Sequence, residues 1–362
     1  MTRVTRASIN LTALRHNLTM AKQAAPDTKH MAVIKANAYG HGMLPVAKAL
    51  EQADALAVAC VDEAVQLREA GINKPLTILE GFIDSQELAI CRRYQLTPVV
   101  HQLEQISLLE AERAESLAIW LKIDTGMHRL GISPEQASQA WRRLQECRSV
   151  DASKIGLMSH LANADDRADG KTEQQYQVFD RVRHQFADSD TAPIASLANS
   201  AGILGWKQTH FDWVRPGIML YGISPLLNHQ GADHGLQPVM TLKSCLIAIN
   251  THKRGEAIGY GGSWSCPEDM SIGVVAIGYG DGYPRHAAAG TPVLINGQRA
   301  TLIGRVSMDM MTVDLRGLQN IKLGDEVILW GEGLATEEVA QHAGTIAYDL
   351  VCGINPRVAV QY

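Results

Sequence analysis

Lys35 lies in AVIKANAYGHG (residues 32–42), where a short apolar run ends on a lysine and passes into a turn holding Asn37, Tyr39, Gly40, His41 and Gly42. A lysine that closes a buried strand is costly to keep charged, because desolvation favours the neutral amine. A neutral amine is a nucleophile and can form a Schiff base with an aldehyde cofactor such as pyridoxal phosphate. The phosphate of such a cofactor needs backbone N–H donors and a hydroxyl. Asn199-Ser200-Ala201-Gly202 and Arg215-Pro216-Gly217-Ile218 carry both, with small residues that permit close backbone approach. Arg215 is the group available for the ring nitrogen, and a guanidinium cannot accept the pyridinium proton. The ring nitrogen then stays unprotonated, which suits removal and return of a single Cα proton. Two plainer readings stand beside these: tight turns in both Gly-bearing segments, and an Arg215 paired with Asp212 or His160 for stability.

The elements that must position these groups are legible as eight short apolar runs, at 31–36, 55–60, 76–81, 97–100, 118–124, 154–160, 194–200 and 211–217. Helix-like stretches such as VDEAVQLREAG and EQQYQVFDRVRHQF separate most of them. Strands alternating with helices imply a parallel sheet, and eight units over this length imply a closed (β/α)₈ barrel. A doubly wound open sheet is the competitor, but no G-x-G-x-x-G follows the first run. Lys35, Glu80, His101, Asp124, His160, Asn199, Ser200 and Arg215 all fall at or near the ends of runs. That is the rim where barrel enzymes place their chemistry, with phosphate sites after strands seven and eight.

After about residue 235 the texture changes to VMTLKSCLIAI, SIGVVAIGYG, PVLINGQRATLIGRVSM and GDEVILWG, separated by Gly, Asn, Asp and Pro. This spacing predicts a small, mostly-β domain. TEEVAQHAG (336–344) reads as one short helix stopped by Gly344, and PLLNHQGADHGLQP (225–238) as a linker. The expected division is therefore a barrel over 1–235 and a β domain over 236–362.

Bulk properties exclude several classes. Of the 362 residues 46% are hydrophobic, enough for a full core, and the net charge of -5 offers no basic field for nucleic acid. No apolar run approaches the roughly 18 residues that span a membrane. The six cysteines are scattered without a C-x-x-C pair, so neither a zinc site nor a disulfide framework is signalled. MTRVTRASIN lacks the apolar core of a secretory signal, and a reducing cytoplasm is the expected location.

Taken together, AVIKANAYGHG, KIDTGMHRLG (122–131), SHLANAD (159–165), NSAG (199–202) and RPGIMLYG (215–222) resemble the barrel motifs of the alanine racemase family. IGYGGSW (258–264), IGYGDGYPR (277–285) and GRVSMDMMTVDL (304–315) resemble its β-domain motifs, so the likeness runs almost end to end. The resemblance implies a two-domain pyridoxal phosphate enzyme of fold type III that interconverts L- and D-alanine, for peptidoglycan synthesis or D-alanine breakdown. It implies that Lys35 holds the cofactor and serves as base on the D-alanine side. Tyr260, from the partner of a homodimer, serves on the L-alanine side. Tyr39, Ser200, Gly217 and Ile218 would bind phosphate, with Asn199 alongside. Arg215 would face the ring nitrogen with His160 behind it. Arg129 and the backbone at Met308 would hold the substrate carboxylate, and Tyr279 would shape the mouth. Lys122 matches a lysine that is carbamylated in some members, which would set a negative group beside Arg129. Two departures stand out: Ser307 where some relatives carry cysteine, and Pro356 in CGINPRV where some carry a phosphate-side tyrosine. The competing functions are a fold type III amino-acid decarboxylase, which would call for an acidic partner in place of Arg215; a cofactor carrier built from a barrel alone; and a broad-specificity racemase.

Overall fold

The structure is a computed structural model describing residues 4–187 and 192–362. The chain opens with β1 (Arg6–Ile9) and then helix Leu11–Ala24, whose first amides at Thr12 and Ala13 are capped by the Asn10 side chain at 3.0 Å. Eight strands follow: β2 (Lys29–Val33), β3 (Ala55–Val58), β4 (Leu76–Ile78), β5 (Thr97–Val100), β6 (Leu117–Lys122), β7 (Val150–Met158), β8 (Ala195–Ser196) and β9 (Trp213–Val214). They pair in parallel in sequence order, and β9 returns to β2 through Lys29↔Trp213, closing the barrel. Its strands read as nearly continuous apolar runs, as expected when the inside is filled with side chains and the outside is covered by helices.

All eight expected runs contain a barrel strand, but most runs outlast their strand. The chain leaves the ladder at Val33, Ile78, Val100, Lys122, Met158, Ser196 and Val214. The chemistry-bearing residues then sit one to four positions beyond, where the backbone turns over the rim.

The second layer is an eight-stranded sheet completed by β10 (Met240–His252), β13 (Met270–Val275), β14 (Pro292–Ile295), β15 (Gln298–Ile303), β16 (Met311–Asp314), β17 (Glu326–Trp330) and β18 (Ala359–Gln361). A two-stranded ribbon, β11 (Ala257–Ile258) with β12 (Trp264–Ser265), projects between β10 and β13. β10 pairs with both β17 and β13, so six strands close on themselves. Helix Thr336–Ala343 ends at Gly344 in the left-handed conformation, as its sequence predicts. β1 departs from expectation. It lies in this sheet, antiparallel to β10 through Ala7↔Leu242 and parallel to β18 through Ala7↔Val360. A division at 235/236 therefore puts residues 6–9 on the wrong side, because four residues of alternating burial carry no sign of a partner more than 230 positions away. Glu337 ties the linker down, accepting from the amides of Ser224 (2.7 Å) and Gly231 (2.8 Å). No helix among the described residues is long and apolar enough to cross a membrane.

Candidate active site

Lys35 follows β2 and opens an unusual piece of backbone. Ala36, Asn37, Ala38 and Tyr39 have φ of 53°, 52°, 55° and 52°, so they form one turn of left-handed helix without a single glycine. That conformation costs L-residues roughly 1–2 kcal/mol each, so surrounding contacts must impose it. Ala38 N–H donates to Ile34 O at 2.9 Å and Gly40 N–H to Ala36 O at 3.1 Å. Glu63 takes the Ala36 amide at 2.7 Å with one carboxylate oxygen and the Ala59 amide at 2.8 Å with the other. The Asn37 side chain accepts from Met43 N–H at 2.8 Å. Gly40 is required twice over: its φ is +79°, and a Cβ there would stand 2.1 Å from Val351 O. Helix Ala347–Cys352 of the second domain thus presses directly on the lysine turn. Burial lowers the pKa of Lys35, the positive charge of Arg129 lowers it further, and Glu80 and Glu63 oppose.

Behind Lys35 the barrel mouth is strongly cationic. Arg215 is buried and donates to Ser196 Oγ (2.6 Å), Ser159 O (2.5 Å), Leu197 O (3.1 Å) and His160 Nδ1 (3.3 Å). A guanidinium only donates, so His160 Nδ1 accepts and its proton sits on Nε2. Burial, then the charges of Arg215 and Lys122, hold His160 neutral, well below the usual histidine range. Arg215 does not pair with Asp212, whose carboxylate takes the Ala195 amide and faces Arg183. Lys122 closes β6 at 8% exposure and forms no ion pair among the described residues. Burial, followed by Arg215, Arg129 and Lys35, brings its pKa down to about 8. Arg129 is exposed on a loop that Asp124 shapes, accepting from the Gly126 and His128 amides at 3.0 Å each.

The loops after β8 and β9 meet at a second cluster. Ser200 Oγ accepts from Gly217 N–H at 2.8 Å, and Tyr39 Oη lies 2.9 Å from where a Gly217 Cβ would be. Hydroxyls and backbone therefore converge on a cradle that only glycine leaves open, with the helical turn Ile218–Tyr221 starting at its edge. Asn199 does not offer its side-chain oxygen to this cradle. That oxygen caps helix Ser200–Gly205, accepting from Gly202 N–H at 3.0 Å, and the residue acts by placing Ser200.

Several neighbours escaped the sequence reading. The Tyr348 ring lies 6.1 Å from that of Tyr39, so a tyrosine does approach this end of the site, from helix Ala347–Cys352 rather than from position 356. Cys352 lies close enough to Lys35 for each to influence the other's protonation. Tyr221 stacks on Tyr39 at 4.8 Å and donates to Val33 O at 3.1 Å, and Glu63 braces the turn. AYDLVC carries an apolar helical pattern but nothing that says which face meets Tyr39, and Glu63 lies in an ordinary helix-like stretch.

Tyr260, Tyr279 and Met308 lie elsewhere. All three are on the β domain, 69%, 40% and 54% exposed. Tyr279 N–H donates to Ser307 O at 3.0 Å and Gly280 N–H to Met308 O at 2.9 Å, so these two segments form one surface. The Arg305 guanidinium flanks the glycine turn beside Tyr260. Among the described residues, no hydrogen bond or ring contact joins these three side chains to Lys35 or Arg215.

The chain is similar over its whole length to proteins of one family. The family pattern described as alanine racemase, N-terminal domain, matches residues 9–225, and that described as alanine racemase, C-terminal domain, matches 239–362. The alanine racemase of Pectobacterium atrosepticum is 51% identical over 358 residues, and the biosynthetic alanine racemase of Escherichia coli 49% over 356, each alignment covering 98% of both chains. The crystal structure of biosynthetic alanine racemase from Pseudomonas aeruginosa superposes with a TM-score of 0.95 at 43% identity, covering 100% of this chain and 99% of that one. The chain belongs to the alanine racemase family, whose members depend on pyridoxal phosphate.

Proposed function

We propose that the protein interconverts L-alanine and D-alanine with two bases on opposite faces of the substrate Cα. The observation that carries this reading is the division of the groups. One chain presents Lys35 in a cationic barrel mouth, while Tyr260 stands exposed on the β domain with no hydrogen-bond partner for its hydroxyl among the described residues. A C₂ pair related head to tail would bring the β-domain face of one copy over the barrel mouth of the other, giving two identical composite sites.

The residues present fit the cofactor. Ser200, Tyr39, Gly217 and Ile218 form a cradle of hydroxyls and backbone suited to phosphate, and Tyr348 adds a hydroxyl from the side where Pro356 has none. Arg215, a donor in its bonds to Ser196, Ser159, Leu197 and His160, can face the ring nitrogen without giving it a proton. When bound, pyridoxal phosphate withdraws electrons from the substrate and acidifies its Cα proton. Lys35 then holds that proton on one face and Tyr260 of the second copy on the other. Arg129 and the Met308 backbone orient the carboxylate, and Tyr279 narrows the mouth. Lys122, whose pKa burial and neighbouring cations bring down to about 8, is the site for carbamylation, which would replace a buried positive charge by a negative partner for Arg129. A nearby cation would help Tyr260 to act as a base, because it favours the phenolate. Arg129 and His160 are the groups on the barrel side that would meet it, although His160 is held neutral in the single chain and leaves Arg129 the better placed.

A role in supplying D-alanine for peptidoglycan is the reading favoured by the biosynthetic label of the Escherichia coli relative. The six cysteines are all free, which fits a reducing cytoplasm. The test is incubation of purified protein with single L-amino acids, read by chiral chromatography. D-alanine should form and little else should. Carbon dioxide release would turn the reading to a decarboxylase, and comparable turnover of many amino acids to a broad-specificity racemase. Borohydride reduction should leave the cofactor on the Lys35 peptide; recovery on Lys122 or Lys154 would remove Lys35 from its role.

A further inference from the structure

The four left-handed residues after Lys35 need a restraint that local sequence does not supply. None is glycine, two are alanine, and the penalty for such a turn falls on each residue separately. The backbone bonds within the turn could not by themselves outweigh it, since each is worth about 1 kcal/mol net.

His41 follows the turn after Gly40. Its side chain is fully buried, and Nδ1 lies 2.8 Å from Tyr39 O and 3.1 Å from Ala38 O. Both partners are carbonyl oxygens, so Nδ1 carries the proton and donates to both. The two carbonyls belong to the last two residues of the left-handed turn. Nε2 is buried with no hydrogen-bond partner among the described residues, which leaves the ring a single productive tautomer. Burial holds His41 down at about 4, so it stays neutral and keeps that tautomer through the physiological range. The ring packs against that of Tyr221 in a tilted pair, centroids 4.5 Å apart, and Tyr221 Oη donates to Val33 O at 3.1 Å. Val33 is the last residue of the strand that delivers Lys35. His41 and Tyr221 thus grip the lysine from both sides: the strand end before it and the turn after it.

We propose that His41 is a positioning residue for Lys35, acting through its Nδ1–H as the clamp that keeps residues 36–39 left-handed. Its ring is fully buried, and its hydrogen bonds go to the backbone of the turn. If the clamp is lost, the turn relaxes toward the right-handed or extended regions open to Ala and Asn, and the Lys35 amine is displaced from the barrel axis. The inference rests on Lys35 being the working amine, but the clamp itself is a statement about backbone and is testable without turnover.

The test uses three variants of the full-length protein. His41→Leu keeps bulk and burial but removes the donor. His41→Asn returns a donor close to the position of Nδ1, and His41→Gln places one nearer Nε2. Amide hydrogen exchange over residues 36–43, the absorption spectrum of the bound cofactor and the separate kcat and KM values are measured on each. The expected result for His41→Leu is at least about tenfold faster exchange in that segment, a shifted cofactor spectrum, and a kcat about 100-fold lower with KM little changed. His41→Asn should recover most of each change, and His41→Gln should not. Unaltered exchange in a folded His41→Leu protein would overturn the clamp, as would equal recovery by Asn and Gln. Should His41→Leu fail to fold, the Asn–Gln contrast decides alone. Failure of the underlying reading is visible separately: a Lys35→Ala protein that still racemises would acquit Lys35, whatever the exchange data say about His41.

Discussion

The barrel mouth and the exposed face of the β domain carry the two halves of the proposed chemistry in opposite physical states. At the mouth, Arg215 is buried among four acceptors, Lys122 is 8% exposed, and the lysine turn is braced by Glu63 and Asn37. On the β face, Tyr260 is 69% and Met308 54% exposed, with the positions of their segments held by backbone bonds and their side chains in the open. The mouth is preorganised by its own chain, which is what electrostatic stabilisation of a developing charge requires. In the proposed pair the face would be covered by the second copy, in keeping with the exposure of its large side chains. The contrast assigns different sensitivities to the two regions. Changes at the mouth should alter chemistry within each site. Changes at the face should alter it only through the other copy.

The sharpest break of that contrast is a mixing experiment. Lys35→Ala should lower racemisation on the order of 10⁴-fold, and Tyr260→Phe by about 10²–10⁴-fold, as expected for loss of a general base. Combined after subunit exchange, the two inactive proteins should recover about a quarter of wild-type activity, because half of the pairs are mixed and each mixed pair has one intact site of two. Absence of recovery in demonstrably mixed pairs would place the whole site within one chain.

Next in size is the asymmetry of Tyr260. Deuterium exchange at Cα in Tyr260→Phe should fall by about 10²-fold or more for L-alanine and far less for D-alanine. Net racemisation must fall equally in both directions, so the difference is read in exchange. Equal losses would strip Tyr260 of a face-specific role.

Lys122 sharpens the electrostatic half of the comparison. Its folded pKa of about 8 lies below the ordinary 10.5, so the unfolded chain binds this proton more tightly. The resulting destabilisation is present in full below about pH 8 and is relieved as pH rises from there to 10.5. Thermal stability should accordingly climb over that window in the wild type and less in Lys122→Met. The neutral amine is also the form that takes up carbon dioxide. Carbon-13 bicarbonate should therefore produce a carbamate carbonyl signal that strengthens through pH 8 and vanishes in Lys122→Met. A signal that survives the substitution belongs to another amine.

The smallest effect is assigned to Tyr348. Removing its hydroxyl in Tyr348→Phe should weaken cofactor binding about tenfold, the worth of one hydrogen bond, while kcat at saturating cofactor stays within twofold or so. Fluorescence titration of cofactor into stripped protein reads this directly, and unchanged affinity would return Tyr348 to a packing role.

The amino-acid sequence determined the parts list and its order along the chain. Eight apolar runs announce eight strands because a closed parallel barrel buries both faces of each one, leaving a signal in every strand independently. The polar residues just past those runs could be assigned to one rim for the same reason, since parallel strands all end on the same side. Gly217 and Gly344 were readable because turns and close approaches are local demands. Tertiary structure decided everything that depends on contact between distant segments. β1 joins the far sheet through partners that its four residues cannot specify. Tyr348 reaches Tyr39 only because Gly40 lets helix Ala347–Cys352 pack against the lysine turn. The left-handed run 36–39 defies the preference of its two alanines and its tyrosine; Asn37 ties it down from within, and Glu63 and His41 brace it from outside. A local preference is written in the residue that has it. A strain is written in the neighbours that enforce it, and folding is what brings them together.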